Sequence, residues 1–590
     1  MTRSLTLLAL GACMSTFISA HAANDATMQQ FQKVSDEYFD KVYFPNQPTV
    51  GTLTGYHQYD TQLEDYSRQK IDRYIADLVY FERRIESIPA AGLDETTRGD
   101  REMVLSNVRS TLLALDTLRP WEKNPDSYSG GVSNAAFSLM ERKFASPNER
   151  LRSLIAREKL MPSRLDEARA NLKNPPHVST EIAIEQLPGI ISFFEKDVPS
   201  AFTDARDPAL NAEFAQTNAA VIASLKSYLD WLKTELLPKS SGDFRIGADN
   251  FAKKLQYDEM VDIPLDKLLE IGFADLHKNQ QHFNALAKEL EPGKDSHAVL
   301  EELGADHPAP DQLLSSFRAT FDSLISFINS HHIVTIPSDV RPILEETPPF
   351  MRATTFASMD TPGPYEKHAT EAYFNVTLPD KSMTPKEVEG YMHSFNKGTI
   401  ISTAVHEAYP GHYIQFLWVP QAPSRVRKLL GANTNVEGWA HYCEQMMLDA
   451  GYGQPGTGAK DAREAKFLRL GQLQDALLRN ARFINAIKLH TGQGVTGGPW
   501  TIDQAVDFFV NEGYQSRSIG LVETKRGTSD ATYLYYTLGK LQIMKLREDM
   551  KQKQGAAFNL QDFHNNLMKQ GFAPIKVVRK AMLHDNSPVL

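Results

Sequence analysis

A His-Glu pair followed closely by a second His is the part of this sequence with the clearest chemical meaning. The segment from Thr399 to Trp418 reads TIISTAVHEAYPGHYIQFLW and contains His406, Glu407 and His412. A second segment, EGWAHYCE, runs from Glu437 to Glu444. Imidazoles and carboxylates are ligands of Zn2+, and a catalytic zinc takes three of them and keeps a fourth position open. His406, His412 and one of Glu437 and Glu444 could form such a set, the second segment starting 25 residues after His412. Glu407, beside the first His, is the candidate general base for an attacking water. The chemistry this implies is metal-assisted hydrolysis.

The spacing of the two His residues is unusual. In the H-E-x-x-H pattern the pair sits at i and i+4, about 40° apart on one helix face. Here the spacing is i and i+6, about 240° around a straight helix. Pro410 cannot donate to the carbonyl of His406, and Gly411 admits dihedrals closed to other residues. A break at 408–411 is therefore expected to swing His412 back towards His406. If the helix simply ends at Pro410, His441 is the alternative nitrogen ligand. Glu437 and Glu444 are seven apart, two turns on one face, so one can bind metal while the other supports a ligating His.

Further on, Arg482-Phe483-Ile484-Asn485 leads towards His490, and Glu523, Lys525 and Arg526 precede Tyr533, Tyr535 and Tyr536. A phenol or imidazole near a metal can hold the oxyanion of a tetrahedral intermediate, which makes Tyr533, Tyr535, Tyr536 and His490 candidates. An Arg can grip a substrate carboxylate with two hydrogen bonds, which makes Arg482 and Arg526 candidates.

The elements that must position these groups are mostly helical. The 590 residues are 42% apolar and 23% charged, a globular composition. The net charge of -10 and the lack of a long basic run argue against a nucleic-acid partner. Between Ser67 and Ile88, the residues Ile71, Tyr74, Ile75, Leu78 and Phe81 recur on one 3.6-period face. Leu151 to Leu172 and Asn218 to Leu236 read the same way. Three short β-branched or aromatic runs, His332 to Ser338, Thr354 to Met359 and Ala372 to Leu378, predict two or three strands of one small sheet. The last, AYFNVTL, is expected to pair with an extended substrate by edge addition, with Asn375 as a substrate-binding residue. The predicted division is a helical region at 24–335 and a catalytic region at 336–590.

Residues 1–23 carry Arg3, an apolar stretch from Leu5 to Phe17 and the small-x-small site Ala20-His21-Ala22. That pattern predicts a secretory signal peptide and a periplasmic or cell-envelope location. Leu10-Gly11-Ala12-Cys13 offers the alternative of a lipid anchor at Cys13. No other stretch approaches a membrane span. With only Cys13 and Cys443 in the sequence, an intramolecular disulfide is not expected in the exported chain.

The HEAYPGHYIQF and EGWAHYCE blocks, the PTVGTLTGYHQYDTQLEDYS segment from Pro48, and Tyr536-Thr537-Leu538-Gly539 resemble the bacterial domain-of-unknown-function family 885. The resemblance spans nearly the whole chain after residue 23. It implies a mainly α fold, large, helical and zincin-like, with one small β-sheet beside the active-site cleft. By that likeness His406, His412 and Glu437 are metal ligands, Glu407 is the base, and His490, Arg526 and Tyr536 lie near the cleft. Asn485 stands where the family has Asp, which weakens the expected support of His490. The expected function is an exported zinc-dependent peptidase acting on short peptides. The alternatives are a hydrolase of peptidoglycan stem-peptide amides and an inactive zincin-like peptide-binding envelope protein.

Overall fold

The computed structural model describes residues 24–352, 355–491 and 498–590. The expected signal peptide and Cys13 lie outside the described residues. The fold is mainly helical with one three-stranded sheet. The helices that matter below are α1 (Arg68–Glu86), α2 (Pro208–Trp231), α3 (Leu265–Leu290), α4 (Lys397–Glu407), α5 (His412–Trp418), α6 (Asn433–Asp449), α7 (Ala462–His490), α8 (Arg517–Ser529) and α9 (Tyr535–Gln554).

α1 shows how pattern becomes packing. The Ser67 side chain accepts from the Lys70 N–H, satisfying a donor that the helix start leaves open. Ile71, Tyr74, Leu78, Phe81 and Ile85 then bury one face. α2 begins on the Asp207 carboxylate, which accepts from the Ala209 and Leu210 N–H groups.

The apolar side chains gather in three cores. One is built from residues between Tyr128 and Leu236 with Phe350. A second joins Phe251 to Leu303 with Leu470 to Leu538. The largest takes residues from Phe31 to Trp121, from Leu313 to Leu468 and from Ile543 to Leu583. The predicted division at 335/336 thus does not separate two cores, because the largest core draws on both sides of it.

The sheet consists of β1 (Ile343–Glu346), β2 (Ala357–Asp360) and β3 (Tyr373–Val376), in the order β1-β3-β2. β3 pairs parallel with β1, Leu344 opposite Phe374, and antiparallel with β2, Met359 opposite Phe374. Two expectations are corrected here. His332 to Ser338 is not a strand. Ile333 and Val334 fill the large core, while side chains pin the backbone: His564 Nδ1 and Trp418 Nε1 donate to the carbonyls of Ile333 and Thr335. The apolar pattern there reflects burial, not sheet pairing. Nor is β3 an edge. It has a partner on each side, so a substrate strand cannot add to it, and the edge nearest the cleft belongs to β2.

Candidate metal centre

The chain does break where the sequence places Pro410-Gly411. α4 starts on the Asn396 side chain, which accepts from the Thr399 N–H, and ends at Glu407. The Tyr409-Pro410 peptide bond is cis. The Tyr409 N–H reaches back to the Ala404 carbonyl and the Gly411 N–H to that of Val405, before α5 restarts at His412. Gly411 passes so close to the α4 terminus that a Cβ there would lie 1.8 Å from the His406 carbonyl oxygen. Only glycine fits. The widened turn reverses the 240° separation that a straight helix imposes. The His406 and His412 rings now stand 4.8 Å apart, nearly perpendicular.

Glu437 comes from α6, and two glycine contacts bring the helices together. A Cβ on Gly438 would lie 2.5 Å from the Gly539 Cα, so α6 and α9 touch main chain to main chain. This sets Glu437 beside Tyr536, one turn before Gly539. Gly398 and Gly471 touch similarly, a Cβ on Gly471 lying 2.6 Å from the Gly398 Cα. That contact holds α4 alongside α7, with His406 and Arg479 each eight residues further on.

The three candidate ligands meet. Glu437 Oε2 is 3.3 Å from His406 Nε2 and 3.3 Å from His412 Nε2, and one donor atom from each residue lies within 4.8 Å of the other two. Two donors at 2.0–2.1 Å from one tetrahedral zinc lie about 3.3 Å apart. Glu437 Oε2 is buried and has no hydrogen-bond partner. His406 Nδ1 sits 2.7 Å from Glu444 Oε1, and a carboxylate only accepts, so Nδ1 carries the proton. The lone pair on Nε2 of the neutral ring then faces the Glu437 oxygen. Two acceptors so close require a cation or a proton between them. Burial opposes an imidazolium, yet the Glu437 and Glu444 carboxylates hold the His406 pKa up at about 9. Burial would raise the Glu437 carboxyl, but His412 and His406 hold it well below its ordinary value. The residues therefore fit a divalent cation.

Glu444 stands behind the centre. Besides His406, it takes His441 Nδ1 at 3.1 Å and Arg479 at 3.0 Å. His441 is buried with its Nδ1 on Glu444, and burial, with Lys540 and Arg479 nearby, brings its pKa down to about 3 against the opposite pull of Glu444. His441 supports the site from behind, and His412 occupies the position for which it was the alternative.

A cleft of about 180 Å³ opens in front, lined by His406, Glu407, Arg479, Arg482, Arg526 and Tyr536 among others. Its outer wall includes Phe356 and Ala357, at the start of β2. Arg482 is held by Glu523 through two bonds of 2.6 and 2.8 Å. Arg526 donates to the Tyr536 hydroxyl at 3.0 Å and reaches Asp530 only at 3.9 Å. Burial raises the Tyr536 phenol above its ordinary pKa against the pull of Arg526, so it keeps a proton to donate.

Two expected site residues lie elsewhere. His490 ends α7, its Nε2 on the Gly527 carbonyl at 2.7 Å, and lines a different cavity beside Phe244 and Thr528. Eight residues beyond Arg482, it is about 12 Å further along the axis. Asn375 lines a third cavity with Glu64 and Tyr66, because strand alternation turns it away from Phe374 and Val376, which enter the large core. Lys525 points out to Glu185 at 2.6 Å. Arg479 was missed by sequence reasoning. Its signal was available: it precedes Arg482 by three residues on the same helix face. Glu259 was missed too. Its buried carboxylate accepts from the Asn433 and Thr434 N–H groups and so caps α6 from far away in the chain.

Residues 48–582 match the family described as bacterial protein of unknown function, DUF885. The chain belongs to this family. Among curated proteins none matches it. A solved structure described as a candidate lipoprotein of unknown function from Shewanella oneidensis shares 26% identity with this DUF885 chain and superposes with a TM-score of 0.74, covering 94% of this chain and 99% of that one. A second, described as a candidate lipoprotein from Colwellia psychrerythraea, is 17% identical and has a TM-score of 0.77, covering 95% and 99%, which shows a shared fold. Among the described residues no helix is long and apolar enough to cross a membrane.

Proposed function

We propose that this DUF885 protein is an exported, zinc-dependent, zincin-like peptidase acting on short peptides. The observation that carries the reading is the convergence of His406, His412 and Glu437 at zinc-ligand separations, backed by Glu444 and opening on a cleft that Glu407 lines. Two imidazoles and a carboxylate suit zinc among the divalent ions. Bound there, Zn2+ would supply the Lewis acidity that acidifies water and polarises a carbonyl.

The chain's own groups do the rest. Glu407 takes the proton of the attacking water and passes it to the leaving amine. Tyr536, oriented by Arg526, donates to the oxygen on which negative charge grows. Glu523 and Glu444 neutralise Arg482 and Arg479, which leaves Arg526 as the guanidinium best placed to meet a substrate carboxylate. An extended peptide can lie along β2, an edge strand whose first residue lines the cleft. The small cleft favours short peptides. Export is supported by the pattern of residues 1–23 and by the lipoprotein descriptions of the two structural relatives.

The test is cleavage of a diverse peptide library, including peptidoglycan stem-peptide fragments, read by mass spectrometry. Zinc-loaded protein should cut short peptides, and Glu407→Gln should not. Zinc-loaded protein that leaves the whole library intact would overturn the reading.

A further inference from the structure

A second group of donors lies outside the cleft, just before Ser394 and Phe395 of its lining. His307 follows the helix Ser296–Ala305, while Glu389 and His393 belong to the helix Pro385–Met392 and the turn His393–Phe395. Glu389 Oε1 is 3.3 Å from His307 Nε2 and 3.4 Å from His393 Nε2. One donor atom from each residue lies within 4.8 Å of the other two. These separations reproduce those of the centre on α4, α5 and α6, and they match two ligands of one tetrahedral ion, about 3.3 Å apart.

The tautomer of His307 sharpens the point. Its Nδ1 is 2.8 Å from the Pro308 carbonyl oxygen, which can only accept, so Nδ1 carries the proton. In the neutral ring Nε2 then presents a lone pair to a carboxylate oxygen. A backbone carbonyl fixing one nitrogen so that the other is free to ligate is the usual support of a metal-binding His. Glu301 approaches His393 Nδ1 at 3.8 Å, which adds negative charge beside the second ring without a hydrogen bond to it. Glu389 is mostly exposed, so water has access to complete the coordination.

We infer that His307, Glu389 and His393 form a second transition-metal site, taking a divalent ion of the zinc, nickel or cobalt class. Two imidazoles with one carboxylate select that class over calcium or magnesium, which want more oxygen ligands. The ion would tie the segment after residue 305 to the cleft wall, because Ser394 and Phe395, next in the chain, line the cleft. Its role is a cross-link and not part of the hydrolytic centre.

The experiment is equilibrium dialysis of the full chain against Zn2+ at micromolar free concentration. In His406→Ala/His412→Ala protein one equivalent of zinc should remain bound and should raise the melting temperature. Adding His393→Ala should remove it, and the surface change Glu389→Gln should weaken it at least about tenfold. A double variant that binds no zinc, or a remaining equivalent indifferent to both His393→Ala and Glu389→Gln, would overturn the inference. The two metal proposals fail separately. Zinc lost only on changing His406 and His412 sinks this one, and zinc lost only on changing His393 sinks the other.

Discussion

Gly438 and Gly539 meet main chain to main chain, and a methyl on Gly539 would lie 1.9 Å from the Thr434 carbonyl oxygen. Glu437 precedes one of these glycines and Tyr536 stands one turn before the other. The distance from a ligand to the phenol facing the cleft is thus set by backbone contact.

Gly539→Ala should therefore destabilise the protein by about 1–3 kcal/mol, the usual cost of overpacking. It should also lower turnover, because the helices must part. Urea denaturation with an unchanged midpoint would show that the contact is looser than described.

His406→Ala should lose the zinc of the main centre while circular dichroism stays near that of the parent chain. The ring is one of the three proposed ligands, and the α4 cap at Asn396 is untouched. Zinc bound at the main centre with parental affinity would remove His406 from the ligand set.

Glu407→Gln separates binding from chemistry. It should keep the metal content and lose about 10²–10⁴ in rate, the typical worth of a general base. Parental turnover on any cleaved peptide would exclude the role.

Tyr536→Phe keeps the ring that packs near His406, 6.3 Å between centroids, and deletes only the hydroxyl. Loss of one oxyanion donor predicts a fall of about 10²–10³ in kcat with KM little changed. A change confined to KM would make the hydroxyl a substrate-binding group only.

A pH effect is expected far from the cleft. Burial pushes the Glu158 carboxyl up from 4.5 to about 8, against the hydrogen bond from Thr217. The folded chain then holds a proton that the unfolded chain releases. This stabilising contribution is complete below about pH 4.5 and is lost as the pH rises towards 8. Glu158→Gln should remove the loss, so the variant gains on the parent chain between pH 5 and pH 8 in chemical denaturation. A difference independent of pH would contradict the assignment.

The grouping of His406, His412 and Glu437 was legible in the sequence because residue type and spacing single them out. The break at Pro410-Gly411 was legible because only a break reconciles the i, i+6 spacing with one ion. The strand order was not. Local β-propensity in AYFNVTL says that it is a strand but not which neighbours it takes, and the exposed edge fell to β2. His490 was misplaced because a residue list does not show how far along an axis a long helix carries a side chain. The Glu259 cap was hidden because its partners, Asn433 and Thr434, are remote in the chain.

Gly411 runs against the carbonyls of Val405 and His406 so closely that no side chain stands between the end of α4 and the start of α5 to flex. On the proposed reading, the His406–His412 spacing cannot widen to suit a guest. A stiff cage discriminates among ions by radius, as metal selectivity requires. It should refuse an ion as large as calcium even where calcium is abundant.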